Sequence, residues 1–247
     1  WIVFCVAIGS TAAQTPPPRQ TETDEYTRYE LLAPETASFK IFYDVTATTP
    51  GAKYFWNGIR RGSEVSDISV LDLMTGAPLE WKLVDAKTAK EHGLSETGDE
   101  GQFIEVELAR PVPDGGQGRI RIIKTYKDAA SYKVSGDQIS YERTLGIKRN
   151  SVVLPAGYEL IGCNYPSQIV AESDGRIVGY ITTVLDRPAG KGRIPNLAVA
   201  AEARGHGLGR RLIEHALDYF RREGLTYAVI ETLEQNETGR YLYPACG

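Results

Sequence analysis

The sequence predicts a chain of two parts: an all-β, antiparallel, sandwich-like domain followed by a partial α/β fold. Three observations carry this. Short segments of alternating apolar residues, separated by turn signals, run from Phe39 to Leu154. After Pro166-Ser167 the pattern changes to a hairpin, a strand, a long amphipathic helix and a further strand. Between strand and helix lies RGHGLG, Arg204 to Gly209. A glycine-rich loop of this kind offers backbone amides to a phosphate, and the helix N-terminus adds partial positive charge.

The bulk properties bound the answer. A chain of 247 residues with 42% hydrophobic and 24% charged side chains has room for one large or two modest globular domains. The formal charge of −4 argues against nucleic acid as a bulk partner. Cys5, Cys163 and Cys246 are far apart and odd in number, which is no disulfide framework. With His92, His206 and His215 they form no metal-binding pattern, so no metal is expected.

Residues 1–13 read as a signal peptide lacking its basic start. WIVFCVAI is an apolar h-region too short to span a membrane, and small residues up to Ala13 mark a cleavage site. Residues 14–25, proline-rich and polar, read as an extended or disordered linker. Because the chain begins at Trp1 and stops at Gly247 in mid-unit, it reads as a fragment.

Residues 26–167 form the expected β-rich domain. FKIFYDVTATT places Phe39, Ile41, Tyr43 and Val45 on one face of a strand. Further strands are expected at 68–73, 79–84, 103–108, 119–126, 138–142 and 151–154, with a short helix over 85–92. Arg60-Arg61 and Glu142-Arg143 read as solvated pairs or salt bridges, and His92 as a surface loop residue. Tyr43, Phe55, Trp56 and Trp81 read as core or rim. The domain resembles exported bacterial proteins of unknown function and, weakly, the all-β N-terminal domain of zinc aminopeptidases, which implies a binding or scaffolding role.

Residues 169–247 form the second domain. A hairpin (169–172 and 176–185, turning at Ser173-Asp174-Gly175) precedes a strand over 194–199. The helix over 207–223 gathers Leu208, Leu212, Ile213, Ala216, Leu217 and Phe220 on one face, and Gly224 ends it. A parallel strand at 225–232 and a helix at 236–243 follow.

This second domain resembles the acetyl-CoA-binding half of a GNAT-superfamily N-acetyltransferase. Arg204, Gly207 and Gly209 match its phosphate-loop pattern [RQ]-x-x-G-x-[GA]. Asn236, Tyr243 and Gly247 match N-x-x-A-x-x-x-Y-x-x-x-G-F, with Gly239 at the alanine position. The resemblance implies acetyl-CoA as co-substrate and a small-molecule or peptide amine as acceptor. Leu197, Ala198 and Val199 would pair with the pantetheine arm, with a backbone N–H of Leu197 or Val199 facing the thioester carbonyl. Gly205, His206, Gly207, Leu208, Gly209 and Arg210 would surround the pyrophosphate, Arg204 would add charge, and Asn236 would bond the arm. Tyr243 would act as general acid, with Tyr241 as fallback, and Glu231 as base ahead of Glu202 and Glu234. The strand and two helices that open a complete domain of this kind are not found before Ile169. The competing expectation is therefore an exported, non-catalytic β-domain fused to an acetyltransferase remnant. Localisation conflicts likewise: the N-terminus implies export to the periplasm or beyond, whereas acetyl-CoA use implies the cytoplasm. Oligomeric state stays open.

Overall fold

The computed structural model describes residues 19–95, 100–144, 146–163 and 168–246. The signal-peptide expectation over residues 1–13 lies outside them, as do 14–18 of the expected linker. The chain divides into two compact units, Trp1–Glu159 and Leu160–Gly247.

In the first unit the strands are β1 (Glu22–Leu31), β2 (Ser38–Ala47), β3 (Tyr54–Gly58), β4 (Glu64–Asp72) and β5 (Trp81–Asp85). Helix α1 (Ala86–Glu91) leads to β6 (Gln102–Glu107), β7 (Gly118–Lys127), β8 (Tyr132–Ser135), β9 (Gln138–Tyr141) and β10 (Asn150–Val153). A five-stranded sheet runs in the order β10-β1-β2-β7-β4, a three-stranded sheet in the order β3-β6-β5, and β8-β9 is a hairpin. Pairing is antiparallel except between β1 and β10, which run parallel. That pair departs from the antiparallel expectation, because the two strands are joined by the rest of the unit and not by a tight turn.

Strand periodicity explains the core. Phe39, Ile41, Tyr43 and Val45 of β2 alternate onto one face and all are buried. Ile120, Ile122 and Tyr126 of β7 lie beside them, and Phe55, Ile104 and Val106 bring the second sheet into the same core. The opposite face of the second sheet buries Trp56 and Val84 with Ala89 and Leu94. Asp85 caps α1 by accepting a hydrogen bond from the Thr88 amide at 2.7 Å.

Several sequence expectations change here. Strand β1 begins at Glu22, inside the expected linker, and β1, β3 and β8 were not expected as strands. His92 is no free loop residue: its Nδ1 lies 2.7 Å from Glu105 and its ring stacks on Tyr54. Arg143 forms a salt bridge, one of the two expected readings, but from a half-buried position and not in solvent. Its guanidinium sits over the rings of Tyr29, Phe39 and Tyr126, 3.7 Å from Asp128, with the side chain 10% exposed. Arg60 also reaches Asp128, at 4.0 Å, while Arg61 pairs with Glu100 at the surface.

The second unit has β11 (Ile169–Ser173), β12 (Arg176–Asp186), β13 (Lys191–Val199), α2 (Leu208–Arg222), β14 (Tyr227–Ile230) and α3 (Glu237–Leu242). The sheet order is β11-β12-β13-β14, antiparallel except for the parallel pair β13-β14 that α2 connects. Leu212, Ile213, Ala216 and Phe220 of α2 pack on Ile181 and Ile194. The approach is close at Gly192, where a Cβ would lie 2.5 Å from the Phe220 ring. Strand β14 is shorter than expected: Leu225 still bonds back to Phe220, and Thr226 and Tyr227 donate to Gly190.

Candidate functional site

The site begins with a parting of two strands. Strands β13 and β14 pair from Lys191–Tyr227 to Ile194–Ile230 and no further. Beyond that point β13 continues to Val199 and, among the described residues, pairs only with β12 on its other side. A register shift opposite Thr182 and Val184 lies at the parting, next to Pro195, which has no N–H to give.

Backbone alternation fixes which groups face the gap. The Ala200 amide donates to Val178 across β12 at 2.8 Å. With a period of two, the amides of Ala198 and Asn196 also face β12, and those of Leu197 and Val199 face the open edge. The Val199 carbonyl accepts a 3.1 Å hydrogen bond from Arg204 Nε. Arg204 thus ties the glycine loop to the end of the open strand.

Downstream, a short helical turn over Ala201–Ala203 leads to the glycines. Gly205 and Gly207 adopt φ of 80° and 75°, a left-handed conformation that disfavours other residues. A Cβ at either would meet no protein atom within 4 Å, so within the chain it is conformation, not space, that calls for glycine there. At Gly209 the demand is steric: a Cβ would lie 3.2 Å from Leu242. Gly207 is the N-cap of α2, and the first helical bond runs from Arg211 to Gly207. The amides of Leu208, Gly209 and Arg210 therefore have no partner within the helix. Leu208 is half-buried against the unit's core; His206 is exposed, and Arg210 stands 3.9 Å from Glu214.

The proposed acid and base occupy different settings. Tyr243, at the end of α3, is half-buried against the core of the second unit, whereas Tyr241 is 82% exposed. Glu231 follows β14 directly, at the parting, exposed and 3.9 Å from Arg193. Glu202 pairs with Arg176 at 3.7 Å. Asn236 caps α3 by accepting from the Gly239 amide and donating to Thr232. Sequence reasoning missed Thr232 and Arg193, since neither belongs to a motif.

Among the described residues no cluster of His, Cys, Asp or Glu could hold a metal ion, and no helix is long and apolar enough to cross a membrane.

Residues 142–247 match the model of the acetyltransferase (GNAT) family. The C-terminal part of the chain therefore matches a GNAT acetyltransferase domain. The match starts ahead of Ile169 and takes in β10. An uncharacterized N-acetyltransferase of Methanocaldococcus jannaschii is 40% identical over 79 residues, covering 32% of this chain and 49% of that protein. An IAA acetyltransferase of Azospirillum brasilense is 35% identical over 75 residues, covering 30% and 49%. Among solved structures, an IAA acetyltransferase from Bacillus cereus is 29% identical with a TM-score of 0.31, over 32% of this chain and 53% of that one. The chain spans about half the length of the curated relatives it matches.

Proposed function

We propose that the second unit binds acetyl-CoA and that the chain transfers its acetyl group to the amine of a small molecule or peptide. One observation carries the reading. The open edge of β13 runs directly into the glycine loop and the unpaired amides of α2, so a single groove offers strand-like pairing and then an anion site. Acetyl-CoA has the matching sequence of parts: an amide-bearing arm followed by a pyrophosphate.

The residues divide the work. Leu197, Ala198 and Val199 present the edge to the arm, and an amide of Leu197 or Val199 stabilises the oxyanion formed on the thioester carbonyl. Glu231 takes the proton of the acceptor ammonium, which otherwise holds it at neutral pH. The free amine then attacks, a C–N bond forms and the C–S bond breaks. Tyr243 protonates the departing thiolate, and the proton lost by the newly acylated nitrogen restores the phenol through solvent. Arg204 anchors the loop, and the amides from Gly205 to Arg210 hold the pyrophosphate.

Thiol release from acetyl-CoA, followed with a panel of amines, tests this. Release above background is expected with at least one amine, and Tyr243→Phe should lower kcat by about 100-fold. Equal background rates for both proteins would leave the non-catalytic reading in its place.

A further inference from the structure

This inference rests on the acetyl-CoA reading above and names a residue that serves it. Between β14 and α3, three residues are locked together. The Gly239 amide donates to Asn236 Oδ1 at 2.9 Å, and Asn236 Nδ2 lies 2.8 Å from Thr232 Oγ1. Because a backbone N–H only donates, the Asn236 oxygen must face Gly239, and its amino group must face the threonine. The side-chain orientation is therefore fixed from both ends.

Gly239 adds a steric condition that is independent of those bonds. It is buried, and a Cβ there would lie 2.8 Å from Asn236 Nδ2 and 3.0 Å from Thr232 Oγ1. The motif has alanine at this position. Glycine here leaves room for the Asn236 amide to fold onto Thr232.

A carboxamide has two N–H donors and two acceptor lone pairs. Gly239 and Thr232 use one of each. One donor and one acceptor remain on an exposed side chain, tethered to Thr232 just past the last residue of β14, where the open edge begins. We propose that Thr232 is a positioning residue. By holding the Asn236 carboxamide, it presents that remaining donor and acceptor to an amide of the pantetheine arm.

The test uses the full chain and two ligands in calorimetry: acetyl-CoA, and 3′-phosphoadenosine 5′-diphosphate, which has the phosphates but no arm. Thr232→Val keeps the shape and loses the hydroxyl; Thr232→Ser restores it. Thr232→Val is expected to weaken acetyl-CoA by about five- to tenfold and leave the arm-less ligand unchanged, with Thr232→Ser close to wild type. Unchanged acetyl-CoA affinity in Thr232→Val overturns the inference alone. Parallel loss of both ligands, or no rescue by serine, reduces Thr232 to a structural role and also overturns it. If the wild-type chain binds neither ligand, the acetyl-CoA reading fails, and this inference with it.

Discussion

The β-rich unit buries the ionisable side chains Glu105, Lys124 and Asp128. Glu105, with its side chain 1% exposed, is held by Trp56 Nε1 at 3.1 Å, His92 Nδ1 at 2.7 Å and Lys82 Nζ at 3.1 Å. Lys124 stands on the core face of β7 with Asn57 Oδ1 2.5 Å away, Asp128 is buried, and the half-buried Arg143 lies 3.7 Å from Asp128. In the α/β unit the candidate site is built from backbone, with Glu231 exposed beside it. Strongly perturbed titration is a common marker of active sites. Here it marks the unit without a catalytic motif. An acyl-transfer groove of strand edge and helix amides needs few shifted side chains, whereas a β-rich core that buries charge must shift them.

Breaking the Glu105 hub should give the largest loss of stability. Burial pushes its pKa up, but the hydrogen bonds from His92, Lys82 and Trp56 outweigh this and hold it below the usual carboxylate range. Its contribution is present above the unfolded-state pKa and is lost as pH falls through the lowered folded value. Glu105→Ala leaves three donors without their acceptor. It should cost about 3–5 kcal/mol in urea unfolding, against little change if the hub is solvated.

Lys124 sharpens the same contrast with the opposite sign. Burial, helped by the charge of Arg143, lowers its pKa from 10.5 to about 7. The unfolded chain therefore binds the extra proton between pH 7 and 10.5, so this residue's penalty is full below pH 7 and fades as pH rises. Lys124→Met should remove a pH-dependent rise in stability on the order of 5 kcal/mol across that window. Identical pH profiles for the two proteins would show that Lys124 is not desolvated.

Much of the second unit was legible in its sequence, because each element carries its own local signal. The period of α2, the glycines that require positive φ and the Ser173-Asp174-Gly175 turn are read from neighbouring residues alone. The first unit was less legible. Strands β1 and β3 are defined by partners far along the chain. The burial of Arg143 depends on Tyr29, Phe39 and Tyr126, all distant in sequence. A charged pair such as Glu142-Arg143 looks like surface until those partners are known. At the site, the loop and Tyr243 came from motif spacing. The Thr232–Asn236 bond and the Arg193–Glu231 pair are tertiary contacts that no spacing encodes.

A smaller effect tests packing in the α/β unit. Gly192→Ala drives a methyl into the Phe220 ring and should cost about 1–3 kcal/mol, read as a lower thermal midpoint. An unchanged midpoint would mean that α2 can slide away from β13 freely, and that the groove is softer than the β-rich core.

We propose that the backbone groove of the second unit holds acetyl-CoA. Calorimetric titration of acetyl-CoA into the full chain and into Gly207→Val tests it most directly. Valine disfavours the φ of 75° that starts α2. Saturable one-to-one binding by the wild-type chain, abolished or strongly weakened in Gly207→Val with the fold retained by circular dichroism, is the predicted result. No saturable heat with the wild-type chain, or equal affinity in both proteins, would contradict it.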